Sequence, residues 1–435
     1  MSIKHLDKIV SLCKRKGFVF PNSEIYGGLK ASYDYGPLGV ELKKAISEKW
    51  WKAMTNNSNI VGLDSSIMVH PDVWEASGHI ANFNDPMTDN KDSKKRYRID
   101  DLLSQQKSKV IDALCEMLSI ENKNDSDTLD KISHTLLQES DKYSNALESA
   151  EVIDPFSGNI GKWTQATQFN LMFQTNSGPS EKSGKSIYLR PETAQGIYIN
   201  YLLVQNSMRL KVPFGIAQIG KAFRNEIIAR NFIFRTREFE QMEMQYFVHP
   251  SEDESSMEYW KDKRISFYSE ELGISKDNLK FHQHSEDALA HYAKDAFDIE
   301  YNFPFGWGEV EGIHNRTDFD LKEHEKLSGK NMKYFDALKN EKYHPFIIET
   351  STGLNRLFLM VLCESYYEDN ENNRTVLKLP FDLAPNKIVI CPLLKKDGLP
   401  EKAKEIYDSI NATHKCVYDQ QGSIGKRYYR QDEAG

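Results

Sequence analysis

Between Phe223 and Val248 the chain reads FRNEIIARNFIFRTREFEQMEMQYFV, and no other stretch restricts the fold as much. Arg224, Glu226, Arg230, Arg235, Arg237, Glu238, Glu240 and Glu243 stand there among apolar residues. A protein interior tolerates that density of charge only when each group has a partner. From Phe239 onward the pattern has period two: Met242, Met244, Tyr246 and Val248 fall on one face and Glu243, Gln245 and Phe247 on the other, which predicts a half-buried strand. Phe214 to Ile219 (FGIAQI) is another short apolar strand, and the residues between the two follow no helical period. The stretch therefore predicts two antiparallel strands joined by a long, arginine-rich loop. Arginines offer planar, permanently charged forks that match phosphate oxygens, so such a platform suits a polyphosphate. A solvated hairpin with alternating ion pairs would use the same residues.

A chain of 435 residues predicts two or three domains. No apolar run approaches the roughly 20 residues a membrane helix needs, so no membrane partner is expected. The first residues, MSIKHLDKIVSLCKRKGFVF, predict an amphipathic helix ended by Gly17 and not a secretion signal. Cys13, Cys115, Cys363, Cys391 and Cys416 are scattered without a CxxC pair, which fits reduced thiols in a cytoplasmic protein and predicts no structural zinc. With a net charge of -8, nucleic-acid contact must come from local patches. Lys94 to Arg98 (KKRYR) and Lys426 to Arg430 (KRYYR) interleave bases with aromatics, as stacking plus phosphate contact requires, although such runs are more often plain solvated surface.

Residues 21 to 39 read as a loop rich in Gly, Pro and Tyr, and Val40 to Met54 as a helix with Leu42, Ala45, Ile46, Trp50, Ala53 and Met54 on one stripe. Trp50 and Trp51 serve either the core or a subunit interface. From Asp101 to Glu151 the chain is polar, with helical stripes at Leu114, Met117, Leu118 and at Ile132, Leu136, Leu137, and predicts a mostly helical surface insertion. In IYLRPETAQG, Pro191 breaks a strand and Thr193 starts a helix through Leu203, leaving Glu192 at the corner as a helix cap or a ligand. Residues 250 to 300 predict two helices, YWKDKRISFYSEELG and SEDALAHYAKDAFD. FGWGEVEGI, from Phe305, predicts a strand approached closely by backbone or ligand. Its Glu309 is a candidate magnesium ligand, since that cation takes one or two carboxylates plus phosphate oxygens; the alternative is a solvated acidic pair with Glu311. IIETSTGLNRLFLMVLCESYY, from Ile347, predicts a strand, a turn and a buried helix in which Arg356 is the only cation of the first two turns. Beyond Pro380, LAPNKIVICPL, a helix over Pro400 to Ile410 and HKCVYDQ make a β-α-β order.

FRNE with FRTREFEQME closely resembles motif 2 of the class II aminoacyl-tRNA synthetases, and within them the glycyl-tRNA synthetases of the homodimeric type. GPLG ahead of the Val40 helix resembles motif 1, and Gly353 to Arg356 resembles motif 3; HPDVWEASGH, FNDP and PETAQG extend the likeness to nearly the whole chain from Val19. The resemblance implies an α+β fold, an antiparallel sheet flanked by helices, with a C-terminal α/β anticodon-binding module incomplete by the family's measure. The implied domains are 1-100 with motif 1, a helical polar insertion over 101-155, a catalytic core with motifs 2 and 3 over 156-380, and the partial anticodon module over 381-435. The implied activity joins glycine to tRNA(Gly): the amino acid's carboxylate attacks the α-phosphate of ATP, pyrophosphate leaves, and the tRNA 3′ end takes the glycyl group. Such a reaction needs no enzyme nucleophile, and the chain offers no Ser/His or Cys/His constellation.

By the same resemblance, Arg224 and Arg356 are the catalytic cations. Arg224 grips the α-phosphate, Glu226 reads the adenine amino group, Arg235 and Thr236 attend the distal phosphates, and Phe239 and Arg356 sandwich the base. Asn225, Phe234, Arg237, Glu238, Val310, Gly353, Leu354 and Asn355 complete the implied ATP site, with magnesium on Glu309. Glycine would meet Glu192, Glu243 and Glu349 with its ammonium and Arg98 with its carboxylate. Ser351 would line the floor, and Gln165, Phe239, Glu240, Gln241, Met242, Thr350, Thr352 and Gly353 would complete that niche. Implied partners are tRNA(Gly), glycine, ATP and a second copy of the chain through the motif 1 helix, in the cytoplasm. The chain departs from the pattern at Gln165, where relatives carry glutamate, at Asn355 for aspartate, at Thr350 for proline, and at IIAR for SPR or TPR. The alternative is a synthetase-like paralogue that binds tRNA without charging it.

Overall fold

The computed structural model describes residues 6-122, 126-178, 185-227, 231-285, 289 and 293-435; Arg230 and most of the IIAR run lie outside them. The described residues gather into two compact units, one from 1-73, 187-284 and 289-435, the other from 74-186 with Ser285.

In the first unit, α1 (Leu6–Lys16) buries Ile9, Leu12 and Cys13 and gives way to Gly17, whose φ of +77° is the left-handed conformation that suits glycine at a helix end. α2 (Pro37–Thr55) begins on a proline, whose missing N–H costs nothing in a first turn, and buries Leu42, Ile46, Trp50 and Met54. Trp50 is wholly enclosed by its own chain, so the core reading of the tryptophan pair applies to it.

Seven strands form one sheet: β1 (Ile60–Gly62), β2 (Phe214–Phe223), β3 (Glu238–Val248), β4 (Leu279–Gln283), β5 (Asp295–Phe303), β6 (Gly306–Thr317) and β7 (Phe346–Gly353). Their order is β4-β5-β6-β7-β3-β2-β1, antiparallel throughout except for β1 beside β2. β2 and β3 pair from Phe214 opposite Phe247 to Phe223 opposite Glu238, the hairpin that the period-two pattern predicts. The expected half-buried strand is corrected in one respect. β3 is central, with β7 on its other edge, and both of its faces are buried. Met242, Met244 and Val248 pack in one core with residues of α2 and of α6 (Leu354–Ser365). On the opposite face Phe247 stacks on Tyr201 and Phe214 beneath α3 (Ala194–Met208), and the polar Glu243 and Gln245 are enclosed beside it.

Two further expectations change. Asp295 to Asp298, read as the end of a helix, belong to β5, because Phe297, Ile299, Tyr301 and Phe303 alternate into the core once β6 pairs with them. Residues 286-288 and 290-292 of the same run lie outside the described residues. The acidic pair of FGWGEVEGI is split by a β-bulge: Ile299 pairs with Glu311 and Glu300 with Glu309, so Val310 is an extra residue that changes which face each carboxylate takes. Glu311 turns into the core, fully buried, and accepts from Arg264 Nε and from the Tyr268 hydroxyl, each at 2.6 Å. Arg264 lies on α4 (Asp253–Ser266), and α5 (Phe319–Ser328) follows β6.

The second unit has a core of its own, built on helices Ser108–Leu118 and Ser126–Gln138 and including Leu114, Leu118, Ile132, Leu136 and Trp163. Met117, expected on that stripe, is exposed. In the first unit the C-terminal segment pairs Ile388–Ile390 with Cys416–Tyr418 in parallel, with helix Leu399–Asn411 between them. Two cations of KRYYR are internal ties: Arg427 is buried and donates to the carbonyls of Pro392 and Gly422, and Arg430 pairs with Asp419. No described helix is long and apolar enough to cross a membrane.

The buried Arg264–Glu311 pair generates a prediction. Arg264→Ala leaves an uncompensated carboxylate in the core and lowers stability by about 3–5 kcal/mol, read as a fall in the urea midpoint; an unchanged midpoint would show that the pair contributes nothing.

Candidate active site

A cavity of about 200 Å³ opens on the face of the sheet that carries Gln241 and Glu243. Strand alternation selects its lining. β3 supplies Phe239, Gln241 and Glu243, β7 supplies Glu349, Ser351 and Gly353, and β6 supplies Gly312, His314 and Arg316. The bulge at Val310 adds Glu309 to that face. The β2–β3 loop adds Arg224, Glu226, Ile233, Phe234, Arg235 and Thr236, the first turn of α6 adds Asn355 and Arg356, and Glu192 enters from the corner ahead of α3.

One end of the cavity is cationic. The Arg224 guanidinium lies 5.4 Å from the centre of the Phe239 ring, with its Nε donating to the Pro191 carbonyl at 3.1 Å. Arg356 lies 4.4 Å over Phe234, donates to the Glu309 carbonyl at 3.0 Å, and pairs with the Glu309 carboxylate at 3.1 Å. Arg356 holds Glu309 below the usual carboxylate range against the opposing effect of burial. Each aromatic thus has its own cation, with Phe234 braced edge-on by Phe303 and Phe305.

The other end is acidic and closed. Glu243, buried, accepts from the Thr193 hydroxyl at 2.5 Å, the Ser351 hydroxyl at 2.7 Å and the Gln241 amide at 3.0 Å. Burial, with Glu349 and Glu192 nearby, pushes its carboxyl up to about 8. Glu349 goes the other way. Burial raises it, but Arg316 and His314 reverse that effect and hold it below the ordinary range. Its oxygens accept from Gln245 at 2.8 Å, His314 Nδ1 at 2.9 Å and Arg316 at 3.2 Å. Arg316 also grips Asp320, and Gln195 links Asp320 at 2.9 Å to Glu192 at 3.0 Å. Of these two buried carboxyls, Glu349 is held ionised by its cationic neighbours and Glu243 is driven toward its protonated form.

Residues 173–366 match the tRNA synthetase class II core domain (G, H, P, S and T), and residues 85–171 match the glycyl-tRNA synthetase insertion domain 1. The chain is 49% identical to the glycine-tRNA ligase of Treponema denticola over 439 residues, 99% of this chain and 87% of that one. It is 50% identical to that of Chlorobaculum tepidum, over 99% of this chain and 91% of that one, and 47% identical to that of Staphylococcus haemolyticus, over 100% and 90%. The chain belongs to the glycine-tRNA ligase family. Among solved structures it is similar in fold to Giardia lamblia prolyl-tRNA synthetase in complex with prolyl-adenylate, with a TM-score of 0.61 at 15% identity over 100% of this chain and 69% of that one.

Of the residues that the family resemblance singles out, the cavity gathers Glu192, Arg224, Glu226, Phe234, Arg235, Thr236, Phe239, Gln241, Glu243, Glu309, Glu349, Ser351, Gly353, Asn355 and Arg356. Others lie off its lining. Met242 and Val310 pack in the core. Thr350, Thr352 and Leu354 are buried away from the cavity. Glu238 pairs with Lys221, and Glu240 with Lys43 at 2.5 Å. Asn225 and Arg237 stand in the loop outside the lining, with the Arg237 Nε on the Glu226 carbonyl. Arg98 and Gln165 belong to the second unit, where Asp100 and Asp85 bind Arg98 and Gln165 is exposed. Sequence reasoning passes over Thr193, Gln245, Gly312, His314 and Arg316 as site residues. The alternation of Gly312, His314 and Arg316 in GIHNR carries that signal, but only once the bulge ahead of it sets the phase.

The raised carboxyl of Glu243 works against stability as pH rises: the folded chain keeps a proton up to about 8 that the unfolded chain loses near 4.5. Glu243→Gln mimics the neutral form. Its unfolding free energy should match that of the wild type near pH 4.5 and exceed it near pH 8, by roughly a few kcal/mol, read from urea melts at each pH. An offset that stays constant across that range would refute the assignment.

Proposed function

We propose that the chain activates glycine with ATP and transfers it to the 3′ end of tRNA(Gly). The observation that carries this reading is a single cavity with arginines at one end and a closed acidic niche at the other. Attack by one anion on another requires that charge on phosphorus be neutralised, and Arg224, beside Phe239 at the cationic end, is the group that would grip the α-phosphate. The niche takes an ammonium on Glu243 and Glu192. A small niche would exclude larger amino acids by size, without an editing step.

Among the described residues no group of three His, Cys, Asp or Glu side chains is placed to hold a metal by itself. Glu309, ionised and facing the cavity, fits magnesium that arrives with the nucleotide and completes its shell with phosphate oxygens. The ion would supply further neutralisation of the triphosphate. Arg356, at the same end of the cavity, would cover one face of the base and Phe239 the other. We place the activity in the cytoplasm, as part of protein synthesis, and in a homodimer through α2. Val40 of α2 and, in the loop before it, Ile25, Tyr26 and Leu29 are exposed apolar side chains that a second copy would cover. Sedimentation of the wild type as a dimer and of Tyr26→Asp with Val40→Asp as a monomer is expected; a monomeric wild type would exclude the interface.

Glycine-dependent exchange of pyrophosphate into ATP tests the activation step. It should be present in the wild type and fall by at least about 100-fold in Arg224→Ala. Robust exchange in that variant would remove Arg224 from the reaction, and tRNA binding without exchange in the wild type would favour a non-charging paralogue.

A further inference from the structure

His314 stands at the junction of the two ends of the cavity, and nothing in the reading above uses its second ring nitrogen. Its place is fixed from two sides. Nδ1 is held by Glu349 at 2.9 Å, across the pairing of β6 with β7. Gly312, on the same face of β6, makes room for the ring: a Cβ there would lie 2.9 Å from Cε1 and 3.1 Å from Nε2. The Nε2 edge has no hydrogen-bond partner among the described residues, and His314 lines the cavity.

The charges around it are distinct. Glu349 faces it from β7, Asp298 from β5, and Arg316 and Glu309 from β6 itself; Glu192, Arg224 and Arg356 line the same cavity from the α3 corner, the β2–β3 loop and α6. Asp298 is already bonded to His284 at 2.9 Å. An α-amino acid carries its carboxylate two bonds from its ammonium. With the ammonium on Glu243 and Glu192, the carboxylate is drawn to the cations that line the same cavity, of which the His314 imidazolium is one.

We propose that His314 is a substrate-binding residue whose Nε2 donates to the glycine carboxylate where that group meets the α-phosphate. This rests on the glycine-activating reading. Because Nδ1 donates to Glu349, Nε2 donates only in the imidazolium; in the neutral ring it becomes an acceptor and repels an anion. Burial opposes the charge and is the largest single effect, but the hydrogen bond to Glu349 together with the Glu349 and Asp298 charges outweighs it and raises the imidazolium above the ordinary 6.5. The contact is therefore strongest in acid and is lost as pH rises through the ring's titration.

Pyrophosphate exchange with glycine between about pH 6 and 9 in the wild type, His314→Gln and Gly312→Ala tests the contact. Both variants should raise the glycine KM about tenfold, the effect of one charge-assisted hydrogen bond, and leave the ATP KM within about twofold. The ratio of wild-type to His314→Gln kcat/KM for glycine should shrink as pH rises, which cancels the titration of glycine itself. A glycine KM within about twofold of wild type in His314→Gln, or a ratio that does not vary with pH, overturns the proposal. If His314→Gln does not fold, an unchanged glycine KM in Gly312→Ala overturns it instead. A wild type without glycine-dependent exchange is a separate failure, of the activity reading itself.

Discussion

Glu349 remains ionised inside the first unit because Arg316 and His314 stand against it, and the polar half of the sheet is arranged around that group. Isolated, such a carboxylate would take up a proton, since burial disfavours charge. The Arg316 guanidinium, the His314 ring and the Gln245 amide remove that option, and Asp320 holds Arg316 in turn. The consequence falls on Glu243. With Arg316 and His314 committed to its neighbour, burial and the adjacent acids push its own carboxyl up to about 8. Adjacent acids thus differ in charge because their partners are unevenly distributed.

The opposite face of the same strands is apolar, and the two environments are kept apart by one-residue alternation. Met242 and Glu243 are neighbours in the chain, yet one packs in the core and the other lines the cavity. A shift of one residue would exchange them, so the register against β2 and β7 has to be strict. Where β6 needs two successive acids to serve different faces with one residue between them, a bulge breaks the alternation: Glu309 reaches the cavity and Glu311 reaches Arg264.

Much of this was legible in the linear chain. Period-two apolarity from Phe239 revealed the strand, the charge interleaved with it revealed a ligand-bearing face, and Pro191 ahead of Thr193 located Glu192 at a strand-to-helix corner. The misreadings have physical causes. SEDALAHYAKDAFD has a helical composition, but its last residues gain more from pairing in β5 than from a local turn, and pairing is a long-range effect. KRYYR shows three cations, yet carbonyl groups and Asp419, out of sight in the local sequence, take two of them.

By itself the sequence determined which residues could be charged, which segments alternate, and which family the chain resembles, because these depend on residue type and spacing alone. Only the tertiary structure decided which acids are ionised, which arginine covers which ring, and on which face Glu309 and Glu311 lie. Those outcomes depend on distances between side chains of different strands and on the water that packing excludes, and neither quantity is encoded at any single position.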